Sequence, residues 1–461
     1  MAPTTEFVEG ILDADQISYG TAEREQRAAD WGTDDADAVT PDVVVWPEST
    51  ADVVAVLTAA NEHGVPVTPY AAGTSLEGNA VPVERGITLD LSEMDAVLDV
   101  RPDDLQVDVQ PGIFGDDLNE AVADYGLFVP SLPASSDIST IGGMIANDAS
   151  GTKTVKYGEV ADWVLELEVV LPTGELITVG SKAAKTSAGY NLKEIVIGSE
   201  GTLGVVTRAT IELTGRPEQI RGGRAIFDDL GSAAAAVADA VQSGVDVAKI
   251  ELIDAFSAEV SNAFLDTDLP DSPMVFLEFH ANHSVEEEIE FCRAVFEAND
   301  VARFEIADDD AEMRALWEAR RELAEAFEPY DPDRSPLTPG DITVPISSYP
   351  EIIDYAKQLE AEKGIPVACF GHAGDGNVHY FIMVEPDDPE SIATGEEISE
   401  RLVERAIELG GTATGEHGVG LGKRDYLTME YDDAGLESMR AIKRALDPNN
   451  VLNPGKILPE E

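Results

Sequence analysis

Hydrophobic and polar positions follow one another along the chain in blocks that switch between the period of a strand and that of a helix. Val43-Val44-Val45 is a buried-type strand, and Ser49 with Asp52 behind it resembles a helix N-cap box. The helix that follows runs to about His63, Gly64 caps it, and Val65 to Val67 opens a second strand. Residues 42–70 therefore read as a compact β-α-β unit, with parallel strands and a right-handed crossover as the default. Residues 87–110 are strand-like with polar alternation. Asp116 to Tyr125 reads as a helix stopped by Gly126. Residues 163–179 read as a hairpin, Trp163 to Leu171 and Leu176 to Val179 around Pro172-Thr173-Gly174, and Gly204 to Leu213 as a further strand.

From about Arg221 the pattern changes. Helices at Ser232 to Gln242, Val285 to Asn299 and Pro350 to Lys363 alternate with strands at Met274 to His280, Val367 to Phe370 and Val378 to Val384. This predicts an antiparallel sheet covered by helices. A helix at Ile398 to Leu409 ends at Gly410-Gly411, and no internal repeat or low-complexity linker interrupts the chain. The fold class is α+β. A length of 461 residues suggests about two to four domains.

Composition adds a constraint. Apolar residues make up 43%, enough for a sizeable core, yet 90 acidic residues face only 30 basic ones, a formal net charge of -60. The excess is spread among well-patterned elements, which predicts an acidic, solvated surface on a folded protein. Such self-repulsion needs screening, so a salt-requiring protein from a high-salt cytoplasm is expected. The same charge argues against nucleic acid and anionic membrane as partners, since both call for basic patches. Cys292 and Cys369 alone give neither a disulfide framework nor an iron–sulfur ligand set. Met1 to Gly10 carries Glu6 and Glu9 with no basic cluster before an apolar run, and no stretch has the length of a membrane span. A cytoplasmic location is expected, with peripheral attachment through an electron-acceptor partner as a variant.

Candidate chemistry sits in glycine-rich segments. Pro69 to Gly78 follows a strand, and its small and hydroxylated residues would let backbone N–H groups approach a phosphate. It is neither a Rossmann fingerprint nor a Walker loop, and a structural turn fits it as well as a phosphate cradle. Thr140-Ile141-Gly142-Gly143-Met144, on through Asn147, Ser150 and Gly151 to Tyr157-Gly158, reads as a long loop suited to a cofactor. Ile197 to Gly204 is a further tight turn opening a strand. Most informative is Gly371-His372-Ala373-Gly374-Asp375-Gly376-Asn377-Val378-His379. Its turn lets both imidazoles face one side of a hairpin, and Gly415-Glu416-His417-Gly418 adds a carboxylate beside a third histidine. Two histidines and a carboxylate make a common divalent-metal set, although a single histidine is more often structural. His417 beside Glu416 suits a general base better than a ligand, because adjacent side chains diverge. Arg320 is a candidate carboxylate clamp, and a solvated helix face with intrahelical ion pairs is the plainer alternative.

With these residues assembled, the chain resembles the FAD-linked oxidoreductases of the vanillyl-alcohol oxidase and p-cresol methylhydroxylase type, most closely the D-lactate dehydrogenase and glycolate oxidase flavin-subunit branch. The carrying segments are Gly73 to Gly78, Lys185 through Ala188-Gly189-Tyr190-Asn191-Leu192, Gly198 to Gly204 and Asp341-Ile342-Thr343-Val344-Pro345. The His372 to His379 run, Thr414 to Gly418 and Asn453-Pro454-Gly455-Lys456 complete them. Residues 1–40 read as an N-terminal helical segment, and the resemblance implies a two-subdomain FAD-binding domain at 41–217, a ferredoxin-like antiparallel cap at 218–425, and a return to the FAD domain at 426–461. It implies non-covalent FAD held by Ala72, Gly73, Thr74, Ser75, Gly78, Thr140, Gly142, Gly143, Asn147, Ser150, Tyr157, Gly158, Glu200, Gly201, Val206 and Asn453. It further implies zinc or manganese on His372, His379 and Glu416, substrate contacts from Arg320 and Asn377, and His417 as the base. Ala71, Leu132 and Gly340 depart from the glycine, aspartate and threonine usual in the family. The implied activity is oxidation of a small D-2-hydroxy acid, D-lactate first, with hydride passing to flavin N5. D-2-hydroxyglutarate or glycolate dehydrogenase, a flavin-using alkyl-ether synthase, and a non-catalytic electron-transfer subunit are the rival readings. Implied partners are the substrate and an external electron acceptor or iron–sulfur protein, with a homodimer among the allowed assemblies.

Overall fold

The computed structural model describes residues 5–34, 36–265, 267–337 and 339–459. The chain forms two compact units. The first combines Met1–Ser150, Gly158–Arg216 and Glu416–Glu461; the second combines Gly151–Tyr157 and Pro217–Gly415. Among the described residues, no helix is long and apolar enough to cross a membrane.

The first unit is built on two sheets. The smaller holds Ile17–Ser18, Val43–Val45, Ile87–Asp90 and Val67–Tyr70 in that spatial order. The helix Thr50–His63 starts where Ser49 caps the Asp52 N–H at 3.3 Å and stops at Gly64, whose φ of 62° only glycine adopts freely. The predicted β-α-β unit thus forms, but its two strands are not neighbours. Ile87–Asp90 lies between them and pairs in parallel with both. Val45, Val56, Leu57, Ile87 and Leu89 make the core here, joined by Leu452 from the far end of the chain. Val67 also donates its N–H to Val451 O at 2.7 Å, and Asn453 N–H returns a bond to Val67 O.

The larger sheet is five-stranded, ordered Val97–Arg101, Gln106–Val109, Val205–Glu212, Val164–Val170 and Leu176–Gly180, with every pairing antiparallel. The expected hairpin is its last pair. Asp108 is buried within this sheet and gathers Arg101, Lys182 and Arg208. The expected loop from Thr140 to Gly158 is instead largely helical. Thr140 caps a helix Ile141–Asn147 and a second short helix covers Thr154–Tyr157. Its glycine density has a packing reason: a Cβ on Gly142 would stand 2.5 Å from that of Pro111.

The second unit is an antiparallel sheet running Arg303–Ile306, Gln219–Ile226, Met274–Ala281, Lys249–Ile253, Val367–Gly371 and Asn377–Val384, with Ser335–Pro336 and Gly340–Thr343 both paired to the last of these. Helices Val285–Ala298, Leu230–Ser243, Tyr349–Lys363 and Pro389–Glu408 pack side by side over it. Phe276, Phe370 and Phe381 of the sheet meet Ala319, Leu323 and Phe327, which belong to the helical stretch that includes Asp310–Arg321. The strand Lys249–Ile253 and the helix Asp433–Leu446 were not predicted, and Pro389–Glu408 begins well before Ile398 because Asp388 caps it at Glu390 N–H. Gly340 also gains a reason. A Cβ there would lie 2.1 Å from the Tyr380 ring, its partner across the strands.

Candidate active site

In the second unit the Lys249–Ile253 strand carries Glu251 into the interior, where its carboxylate is fully shielded from solvent. One oxygen lies 2.7 Å from His372 Nδ1, the other 2.8 Å from an Arg320 terminal nitrogen. Burial by itself would raise this carboxyl; the His372 and Arg320 charges facing it outweigh that and hold it below its ordinary range. Arg320 stacks over Phe370 at 5.2 Å and keeps a buried Nε that makes no hydrogen bond among the described residues. The solvated-face reading of Arg320 is therefore overturned: the side chain is buried and paired across the fold.

The hairpin joining Val367–Gly371 to Asn377–Val384 brings the two histidines together as expected. Gly376 at φ 86° makes the turn, and the rings stand 5.1 Å apart, nearly perpendicular. Nitrogens of His372 and His379 lie within 4.8 Å of each other. A carboxylate bound to one nitrogen of an imidazole orients the other toward a metal, and Glu251 stands in that relation to His372 Nδ1. Asn377 donates to Asp341 Oδ1 at 2.7 Å and has a buried Oδ1 that accepts no hydrogen bond among the described residues. Asp341 also takes the Gly415 N–H at 2.8 Å and the Thr414 hydroxyl at 3.0 Å. A side chain on Gly415 would strike Asn377 and Thr343.

Beside this group, Tyr157 donates to or accepts from His280 Nδ1 at 2.9 Å, and His280 Nε2 meets Glu278 at 2.8 Å. Burial pushes the Tyr157 phenol up to about 12. Tyr157 thus belongs to the second unit, whereas Gly158 belongs to the first.

In the first unit the loop after Val67–Tyr70 turns at Gly73 and Gly78, both with positive φ. The N–H groups of Ala72, Gly73, Thr74 and Ser75 donate to no group of the chain among the described residues, while the carbonyls of Gly73 and Ser75 accept from Trp31 and Gly32. Ser75 is tied to Asp30 at 2.7 Å and Thr74 to Ser139 at 3.1 Å. A row of unspent N–H groups on a fixed loop is a cradle for a phosphate, and it fits the pyrophosphate of FAD. By contrast, the N–H groups of Gly142 and Gly143 are used by Pro111 O and Thr140 Oγ1.

Glu200 stands at φ 50° on its turn, next to Gly201 at φ 66°. Its carboxylate is buried and accepts Asn79 at 2.6 Å, Val419 N–H at 2.7 Å and Gly420 N–H at 2.9 Å. Burial raises this carboxyl, against the pull of those N–H groups. The amide of Asn453 bridges Asn79 O and Glu200 O at 3.0 and 2.8 Å, and Val206 is buried on the adjoining strand. The segment bearing Glu416 and His417 is fastened to the same surroundings. Asn147 donates to Glu416 O, Ser150 lies 3.3 Å from the Glu416 carboxylate, and the Leu421 and Gly422 N–H groups go to Glu77 O. His417 Nδ1 is 3.7 Å from Glu77 Oε1.

The structure thus groups His372, His379, Arg320 and Asn377 in the second unit, and Glu416 and His417 with Asn147, Ser150, Glu200 and Asn453 in the first. Sequence reasoning missed Glu251. Its signal was present, a carboxylate alternating with Ile250 and Leu252, but that alternation also describes an ordinary solvent-facing strand edge. Glu77 and Asp341 stood in quoted motifs without a role.

Residues 41–180 match the model of the FAD binding domain, and residues 216–457 that of FAD linked oxidases, C-terminal domain. A probable mitochondrial D-lactate dehydrogenase of Danio rerio is 36% identical over 446 residues, covering 96% of this chain and 89% of its own. Glycolate oxidase subunit GlcD of Bacillus subtilis is likewise 36% identical, covering 91% of this chain and 90% of its own. The solved structure of p-cresol methylhydroxylase with substrate bound superposes at a TM-score of 0.80 with 17% identity, over 98% of this chain and 96% of the other, which speaks for the fold. The fold, the pair of domain matches and the relatives agree: the chain belongs to the family of FAD-linked oxidases.

Proposed function

We propose that this protein oxidises the C2 hydroxyl of a small D-2-hydroxy acid, D-lactate first, to the 2-oxo acid. The observation that carries the reading is the Glu251–Arg320–His372 cluster, in which a buried guanidinium keeps a donor, Nε, with no acceptor among the described residues. Such a donor calls for a carboxylate from outside the chain. The names of the relatives support the choice of acid, D-lactate in that of Danio rerio. Glycolate, lacking only the methyl group, is the second reading, and it is favoured by the Bacillus subtilis relative.

When bound, FAD supplies the acceptor for the C2 hydride, and a divalent ion, zinc or manganese, supplies Lewis acidity at the substrate oxygens. The residues that would hold FAD are the N–H row at Ala72 to Ser75 with Asn147, Glu200 and Asn453; those for the metal are His372, His379 and Glu416. Arg320 binds the carboxylate and Asn377 fixes the substrate's orientation. Glu251 keeps Arg320 and His372 in place. His417 holds the proton released from the hydroxyl at Nε2. Electrons then leave to an external acceptor, an iron–sulfur protein being one such partner.

The test is anaerobic bleaching of the flavin by a panel of D-lactate, glycolate and D-2-hydroxyglutarate, using metal-replete protein in high salt. Fast bleaching by D-lactate is expected. In His417→Ala, FAD and metal should stay bound while bleaching slows by about 10²- to 10⁴-fold. Near-normal bleaching by that variant would remove His417 from the mechanism, and no bleaching by any hydroxy acid would revive a non-catalytic electron-transfer role.

A further inference from the structure

Glu77 is a buried carboxylate that the mechanism above does not use. Its side chain is 4% exposed, and Oε1 accepts no hydrogen bond among the described residues. That oxygen faces His417 Nδ1 at 3.7 Å and Lys423 Nζ at 3.4 Å. The 417–423 segment passes close against this residue. The Glu77 carbonyl receives the N–H groups of Leu421 and Gly422, at 2.7 and 3.2 Å. A Cβ on Gly420 would come within 2.1 Å of that carbonyl, and one on Gly422 within 2.4 Å of the carboxylate, so only glycine lets the segment lie this close. On the other side, Glu200 takes the Val419 and Gly420 N–H groups. The backbone around His417 is therefore fixed, and the ring stands 3.7 Å from Glu77, less than an ångström beyond a normal hydrogen bond.

We infer that Glu77 is a positioning residue: it holds the His417 ring through Nδ1 and so turns Nε2 to the substrate hydroxyl, an inference that rests on the reading of His417 as base. Lys423 serves as the counter-charge that keeps the carboxylate directed at the ring. A carboxylate behind an imidazole fixes both tautomer and orientation, so its loss should slow the chemical step and leave substrate binding largely alone. A purely structural ion pair between Glu77 and Lys423 would instead lower FAD retention and stability without acting through His417.

A double-mutant cycle separates the two. Glu77→Gln, Glu77→Asp, His417→Ala and the double variant Glu77→Gln/His417→Ala are compared in single-turnover anaerobic flavin reduction, with FAD content measured alongside. Glu77→Gln should keep its FAD, retain the substrate dissociation constant, and reduce on the order of 10- to 100-fold more slowly. Glu77→Asp should recover part of the rate. In the His417→Ala background the same glutamine should cost less than about twofold, because the partner it acts through is already gone. A wild-type rate in Glu77→Gln, or an equal fold-loss in both backgrounds, overturns the inference. Should Glu77→Gln lose FAD, the same cycle run with Glu77→Asp decides. Normal reduction by His417→Ala overturns the base reading itself, a failure distinct from that of Glu77.

Discussion

Substituting Glu251 probes a fully buried carboxylate of the second unit. The carboxylate contacts His372 Nδ1 at 2.7 Å and Arg320 at 2.8 Å, and none of its side chain reaches solvent. Glu251→Ala deletes the anion and leaves the Arg320 guanidinium buried without its counter-ion. Breaking a buried pair in this way costs about 3–5 kcal/mol, several times what an exposed pair is worth. Glu251→Gln keeps the shape and an acceptor for Arg320. Its amide nitrogen, turned to His372, makes Nδ1 an acceptor and moves the ring proton to Nε2, the atom needed for a metal. The two variants should therefore separate two properties. Alanine should lose about 3–5 kcal/mol in urea unfolding at high salt. Glutamine should lose less, about 1–2 kcal/mol, yet bind zinc on the order of 10- to 100-fold more weakly in a titration of metal-stripped protein. An alanine variant within about 1 kcal/mol of the parent would mean that the pair behaves like a surface one. Unchanged zinc affinity in the glutamine variant would mean that Glu251 does not set the His372 tautomer.

Other outcomes can be checked in solution. Glu278 sits between His280 and Lys249; burial raises its carboxyl, but the His280 hydrogen bond and the Lys249 charge outweigh it and bring it from 4.5 to about 2. A depressed carboxyl stabilises the fold above its unfolded pKa and loses that contribution as pH falls from 4.5 through about 2. Its worth, about 3 kcal/mol, should appear as a gap between parent and Glu278→Gln unfolding at pH 6 that closes toward pH 2; a gap that persists in acid would refute the assignment. A net charge of -60 predicts unfolding at low ionic strength with recovery in molar salt, where the screening length falls to about 3 Å. Circular dichroism that ignores salt would remove the high-salt reading.

What could be read from the sequence follows the reach of each interaction. Ser49, Asp52 and Gly64 bracket their helix through contacts a few residues away, so its limits were visible in the residues themselves. His372 and His379 share one hairpin, and their convergence was visible for the same reason. The order of the first sheet was not. Nothing near Val45 announces that Ile87–Asp90 will slip between the strands of the β-α-β unit, because that choice is made by tertiary packing. The glycines at 142 and 143 suggest a loop by composition, whereas they lie in a helix and Gly142 lets it approach Pro111 closely. Glu251 finds its partners at positions 320 and 372, and no local pattern reports a contact of that span.

The pairing of Val67 with Leu452 has a consequence for how the protein is made. A chain emerging from the ribosome usually lets its early portions settle before the later ones exist. Here that order is closed to the first unit. Its smaller sheet keeps an open flank until Val451, Leu452 and Asn453 arrive, and Leu452 fills a core whose other members were synthesised long before. The glycine loop that continues from Val67–Tyr70 therefore stays on an unfinished scaffold until those residues are made, whereas the second unit has all its strands in hand by Gly415. Capture of the cofactor thus waits for residues made after the whole of the second unit, and of the two units the one begun earlier is the one closed later.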